Sequence, residues 1–271
     1  ALTNPLVSVK LEHPPGLGIK FDRVAFGSAE GRCGLEVQDA LIGLFIDNGV
    51  DVLDRAHLDQ ILAEHELSFS GHIDRSSAAR LGKVLGPTTL LFVKGLRCNT
   101  KQEALHRDWK DSDGRYHRTY VSQTKAYLKT SVQAVDLATG RIFSAKTYES
   151  SKEAANEAEG GRPEYPDTNA VFDLALNDVR ERVRRLFFTW HETIDLVYFN
   201  NKKCNLKLAA NLVKSGQYEA AFEQSLKNFD ACQGEKEKYR SRAQYNIGMS
   251  QFILGEYDAA LESFNQANAI K

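Results

Sequence analysis

Two hydrophobic periodicities run along this chain, and the change from one to the other divides it. Residues 1–19, with Pro5, Pro14, Pro15, Gly16 and Gly18, read as an extended arm, and Lys20–Phe26 as a short strand. Leu35, Ala40, Leu41, Leu44 and Phe45 then fall on one face of a helix over about 35–48 that Gly49 ends. Val50–Leu53 predicts a short strand, and Asp54 caps a helix carrying Leu58, Ile61 and Leu62. A further helix follows the cap Asp74, carries Ala78, Leu81 and Leu85, and stops at Gly86-Pro87. The continuous apolar run TTLLFVKGL predicts a buried strand, and Asp111-Ser112-Asp113-Gly114 a hairpin between two long strands. Alternation through Thr124–Asp136 puts Ala126, Leu128, Thr130, Val132 and Ala134 on one face; the turn Leu137–Gly140 returns the chain as Arg141–Tyr148. Residues 149–168 are acidic and bear Gly and Pro, which predicts a loop. A long helix over about 169–191 carries Val171, Leu174, Ala175, Val179, Val183, Leu186 and Phe187. Strands interspersed with helices in this order predict an α/β sheet with helices packed on it over 20–191. Residues 192–203 read as a linker helix or bridge.

From 204 to 271 the period is helical throughout. SRAQYNIGMSQFILGEYDAALESFNQANAIK places a small residue, Gly248, where one helix meets its antiparallel partner. Gly255 ends the first helix, Tyr257 starts the second, and Ala260, Phe264 and Ala267 form its inner stripe. The stretch fits the tetratricopeptide (TPR) repeat template, and an earlier copy carries Ala209, Gly216, Tyr218 and Ala221 in equivalent places. The resemblance implies an all-α module of about two repeats that binds protein. On the template Lys203, Lys207, Arg242, Tyr245, Asn246 and Met249 face the groove, a set suited to a partner segment of acidic character. The chain begins at Ala1 and stops at the end of a repeat helix, which suits a processed or trimmed chain whose natural form continues.

A net charge of −1 provides no field to attract nucleic acid or an anionic membrane, and no run of about 18 apolar residues predicts a membrane-spanning helix. Among the four cysteines, Cys204 and Cys232 sit at adjoining ends of a predicted helical hairpin, where a disulfide is as good a reading as two separate thiols. A bridge there implies an oxidising compartment.

Chemistry-bearing clusters have plainer readings. Asp51, Asp54, His57 and Asp59 could form a metal or acid–base site, but Asp54 serves as a cap and negative charge suits that helix start. His65 and His72 lack partners at ligand spacing. Lys83 in LGKVLG lacks the rest of a phosphate loop, and a structural glycine cap accounts for it. Arg180, Arg182, Arg184 and Arg185 suit a helix C-terminus. No catalytic residue, metal or cofactor is therefore assigned. The hairpin tip, with Trp109, Tyr116, His117 and Tyr120, suits either a protein interface or cross-strand packing.

The segment from Val50 to Arg97 resembles the CsgG family, the curli production assembly and transport components. The matching pieces are Val52-Leu53-Asp54-Arg55, Leu58-Asp59, Ile61-Leu62, Ser70-Gly71 with Asp74, Ala78-Ala79, Leu81-Gly82-Lys83, Leu85-Gly86 and Gly95. The turn Asp136-Leu137-Ala138-Thr139-Gly140 continues the likeness, which spans roughly 20–190. It implies a periplasmic or outer-membrane-associated α/β domain that docks or forms a homo-oligomer, with membrane contact only through a lipid anchor outside this sequence. Curli channels extend strand pairs into a membrane barrel, which needs an apolar face. Residues 98–123 and 150–168 here carry none, so a soluble relative rather than a pore is expected. The expected role is a non-enzymatic envelope scaffold or assembly and transport accessory. The alternatives are an accessory of a flagellar or cell-wall-synthesis complex, and, from another class, a small-ligand-binding or hydrolytic α/β domain.

Overall fold

The computed structural model describes residues 6–19, 21–53, 58, 60, 75–86 and 88–270. Of the helix expected after Asp54 only Leu58 and Gln60 are described, both helical, with Leu58 buried beside Leu81 and Leu90. Asp54, His57, Asp59, Ile61 and Leu62 lie outside the described residues, as do His65, His72 and the cap Asp74. The chain divides into two compact units, Pro14–Thr189 and Ala1–His13 with Trp190–Lys271.

In Pro14–Thr189 the strands β2 (Arg23–Phe26), β3 (Glu30–Gly31), β4 (Asp51–Val52), β5 (Thr89–Lys110), β6 (Tyr116–Asp136) and β7 (Arg141–Glu159) form a mixed sheet. Its order is β4-β2-β5-β6-β7, with β3 also on β5; β4, β2 and β5 are parallel, while β5, β6 and β7 are antiparallel. The apolar run in β5 is continuous because both faces are covered. Leu91 and Val93 pack with α1 (Gly34–Asp47) and α3 (Thr168–Phe187). Leu90 and Phe92 pack with Leu81 and Leu85 of α2 (Arg75–Leu85). Helices on both faces of a sheet make this an α/β fold. The glycine cap expected in LGKVLG is Gly86, which follows the helix at φ +73° and donates to the Gly82 carbonyl at 3.0 Å. Gly82 itself serves close approach: a Cβ there would lie 2.4 Å from the Leu137 carbonyl oxygen.

The expectation of a loop over 149–168 is corrected. Register with β6 continues to Thr119↔Glu159, and helix α3 starts at Thr168. Low-propensity residues such as Glu153, Ala154, Ala155 and Asn156 are held extended by the long strand beside them, a tertiary override of propensity. Only 160–167 lie between strand and helix, and their carbonyls at Pro163 and Pro166 accept from Ser122 Oγ (2.6 Å) and Thr124 Oγ1 (2.7 Å).

The other unit also differs from expectation at its boundaries. The arm contains β1 (Leu6–His13), whose partner β8 (Trp190–Val197) occupies what reads as helix end and bridge. Val7, Val9 and Leu11 alternate inward and join Tyr198, Ala209, Ala210, Val213, Met249 and Ile253 in one core, and that burial makes the arm a strand. A short turn of 3-10 helix at Lys203–Asn205 leads to α4 (Leu206–Lys214), α5 (Tyr218–Asp230), α6 (Glu237–Ile253) and α7 (Tyr257–Ala269). These pack in sequence as antiparallel neighbours, with Gly248 of α6 against the Phe264 ring of α7.

Candidate interaction surfaces

Helix α6 has no charged residue from Ala243 to Gly255, and the reason is that it is covered on several sides. Helices α5 and α7 flank it, and the segment after β8 lies on its remaining face. Tyr198 is fully buried, its hydroxyl within 2.7 Å of Ser225 Oγ and 2.8 Å of Ser250 Oγ. The Asn246 side chain, also fully buried, accepts from the Phe199 backbone N–H at 2.9 Å and donates to the Phe199 carbonyl at 2.7 Å. Arg242 donates to Asn201 Oδ1 at 3.1 Å and stands 5.0 Å over the Phe199 ring.

The six residues expected to line an open groove therefore divide. Asn246 is buried beneath the chain's own Tyr198–Asn201 segment and Met249 in the core that Tyr198 shares with β1 and α4, which corrects the expectation of a free groove at these positions. Tyr245 is half-buried, 5.2 Å from the Phe199 ring and 5.3 Å from that of Phe264. Lys203 is exposed and paired with Glu235 at 3.0 Å; Lys207 is exposed. Spacing alone could not reveal Tyr198, Ser225 and Ser250. The uncharged run Ala243–Gly255, longer than one buried stripe requires, was the available signal.

At the ribbon tip, Trp109 and His117 oppose each other across β5 and β6 and stack with centroids 4.6 Å apart. Trp109 Nε1 donates to Thr119 Oγ1 at 3.1 Å, and His117 Nε2 lies 2.9 Å from Asp111. That histidine, with backbone N–H donors of Arg115 and Asp113, holds the Asp111 carboxyl below the usual range. Trp109 and His117 are thus engaged in local packing and Tyr120 is half-buried, whereas Tyr116 is 78% exposed with Lys110 4.3 Å over its ring.

One face of the ribbon is a lattice of opposite charges. Glu103 meets Lys101 and Lys125, Glu157 meets Arg107 at 3.3 Å, and Glu149 meets Lys129 at 3.3 Å together with the Tyr127 hydroxyl. Lys101 foremost, then Lys125, lowers the Glu103 pKa; the Tyr127 hydroxyl, then Lys129, lowers that of Glu149. Helix α3's arginines are likewise occupied: Arg180 by Asp47 (2.7 Å), Arg182 by Asp178 (2.8 Å) and Arg184 by Glu181 (2.9 Å). Burial pushes the Tyr148 phenol up to about 12, so it stays neutral at physiological pH.

Two disulfides are present, Cys33–Cys98 with Cα atoms 6.2 Å apart and Cys204–Cys232 at 5.0 Å, and each lies within one unit. The first ties the start of α1 to β5; the second closes the α4–α5 hairpin. An open cleft of about 610 Å³ lies beside Cys33–Cys98, between Arg32, Glu36, Thr100, Phe172 and Asp173. In the helical unit a more apolar recess of about 710 Å³ lies between Phe199, α6 and α7. Among the described residues no group of three or more His, Cys, Asp and Glu is placed to hold a metal. Nor is any helix among them long and apolar enough to cross a membrane.

No curated protein matches the chain. Among solved structures, a minor lipoprotein from Acinetobacter baumannii is 11% identical, covering 61% of this chain and 91% of its own, with a TM-score of 0.31. Lipoprotein GNA1162 from Neisseria meningitidis is 10% identical, covering 60% and 94%, at 0.32. The hypothetical protein CT253 from Chlamydia trachomatis is 12% identical, covering 61% and 96%, at 0.35. The family model described as curli production assembly/transport component CsgG matches residues 19–163. That span is more than half of the chain and contains β2 to β7 with α1 and α2, so the protein belongs to the CsgG family.

Proposed function

We propose that this protein is a non-enzymatic scaffold of the bacterial cell envelope, in which the CsgG domain docks or oligomerises and a TPR-type helical module holds a protein partner. The family match over 19–163 carries this reading. The paired cysteines support it, because disulfides persist in oxidising compartments such as the periplasm. The TPR assignment is supported by two successive helical hairpins in which Tyr218 and Tyr257 open the second helices and Ala221 and Ala260 are buried. With Asn246 and Met249 buried within the module, partner contact falls to its remaining accessible surfaces, among them the recess beside Phe199 and the face on which Tyr257 is 58% and Leu261 61% exposed.

The test is photo-cross-linking in cells with the full-length protein, placing a benzophenone amino acid at Leu261, Lys207 or Tyr116. We expect a discrete protein adduct in the envelope fraction from at least one position, and thiols that resist alkylation until reduced. Reactive thiols in a cytoplasmic pool, or no adduct at any position, would overturn the reading.

A further inference from the structure

The recess beside Phe199 combines three properties that together select a ligand chemistry. Its floor is apolar: Phe199, Tyr245 and Phe264 form a continuous chain of ring contacts. Its rim carries two cations, Lys238 and Arg242, one helical turn apart on α6 and so on the same face. No aspartate or glutamate is among its lining residues. Arg242 is also fixed in advance, with one nitrogen on Asn201 and its guanidinium carbon 5.0 Å from the Phe199 ring centroid. A guanidinium has five N–H donors, so several remain for an incoming carboxylate, and little side-chain freedom is lost in using them. The Tyr245 hydroxyl, whose pKa desolvation raises further above physiological pH, is a neutral group at the same wall.

We infer that this recess is a docking site for an acidic peptide segment of a partner protein, seating one aromatic or large aliphatic side chain against Phe199, Tyr245 and Phe264 while flanking carboxylates meet Lys238 and Arg242. The inference rests on the helical module's being the partner-binding part, and it relocates that contact from the filled face of α6 to its flank. The floor is composite, since Phe199 belongs to the same segment that Asn246 grips. Charge complementarity decides among occupants. A basic or neutral segment would bring no carboxylate to either cation, and a purely apolar one would desolvate them at a cost.

The probe is a fluorescein-labelled peptide with one phenylalanine between Asp-Glu pairs, read by anisotropy against the whole protein. Two controls replace the acidic residues by lysine or the phenylalanine by glycine. We expect saturable binding of the acidic phenylalanine peptide, at least tenfold weaker binding of both controls, and weakening as salt rises. Two variants probe the site: Lys238→Glu reverses an exposed rim charge, and Asn268→Trp fills the recess from an exposed rim position. Each should weaken the peptide at least tenfold with an unchanged melting profile. Equal binding of the lysine peptide, variants within twofold of the parent, or no binding up to about 1 mM would overturn the inference. If peptide binding fails while the cellular adducts persist in both variants, the scaffold reading stands and this site alone falls. Absence of adducts from every position would instead remove the scaffold reading.

Discussion

Replacing Asn246 by alanine tests the claim that the helical unit grips its own chain. The side chain is fully buried and makes two hydrogen bonds to one backbone unit, at 2.9 and 2.7 Å. Alanine leaves a donor and an acceptor of Phe199 without these partners, at about 1–3 kcal/mol for each that stays dry, and opens a small void. Water reaching the partly buried Phe199 backbone offsets some of this, so the loss expected is about 3 kcal/mol. At a urea m-value of ~1.5 kcal/mol/M, suited to a unit of this size, the midpoint falls by ~2 M with m unchanged. The chain has two tryptophans, Trp109 in one unit and Trp190 in the other, so a Trp109→Phe background lets Trp190 report this unit alone. A loss under ~0.5 kcal/mol, the size of an ordinary surface substitution, would mean that Asn246 is not clamped and would restore the open groove. Lys207→Ala, on an exposed position, is the neutral control.

Gly248→Ala sets two effects against each other. Alanine favours a helix interior by ~1 kcal/mol, but its Cβ would lie 2.7 Å from two atoms of the Phe264 ring, and overpacking costs ~1–3 kcal/mol. We expect a net loss of about 1 kcal/mol in the Trp190-reported melt; a gain in stability would refute the close contact. Replacing both cysteines of one bridge by serine should destabilise only the unit that holds it. Loop separations of 28 and 65 residues correspond to ~3.5 kcal/mol for Cys204–Cys232 and ~4.3 kcal/mol for Cys33–Cys98 on the loop-entropy account. A change confined to the wrong tryptophan would contradict the division into units. Acid should loosen the ribbon. The pKa values of Glu103 and Glu149 are held below the ordinary 4.5 and that of Asp108 below 3.8, the last chiefly by its hydrogen bonds from Arg118. Their stabilisation is therefore full above about pH 4.5 and is lost as pH falls through the depressed values. Amide exchange in 97–129 corrected for intrinsic rate should rise over that interval, and Glu103→Gln should flatten the response; an unchanged profile would count against the lattice.

Local pattern made much of the fold legible. The α3 stripe from Val171 to Phe187, save Leu174, which is half exposed, the tip at Asp111–Gly114 and the inward row Ala126 to Ala134 are read directly from residue type, because each element buries one face with its own period. What remained illegible depended on a partner distant in sequence. Glu149–Glu159 lacks strand composition and is a strand only because β6 lies beside it. Val7, Val9 and Leu11 alternate visibly, but eight residues without a partner do not identify themselves as a strand, and that partner begins at Trp190. The repeat template gave Asn246 and Met249 a face, but not the presence of Tyr198–Asn201 against it.

The pairing of β1 with β8 also has a consequence in time. The first strand leaves the ribosome long before its partner, since the whole of Pro14–Thr189, about 175 residues, is synthesised between them. At ~5–20 residues per second that is a wait of ~10–35 s, ample for a domain of this kind to fold on its own. Throughout it a strand with Val7, Val9 and Leu11 on one side has neither edge nor face protected. The intervening unit must complete itself as an insertion, and the helical unit can close only once Trp190 and the helices after it arrive. A holding chaperone or a translocation channel that keeps Leu6–His13 apart would therefore matter more to this protein's yield than to one whose paired strands are neighbours in sequence.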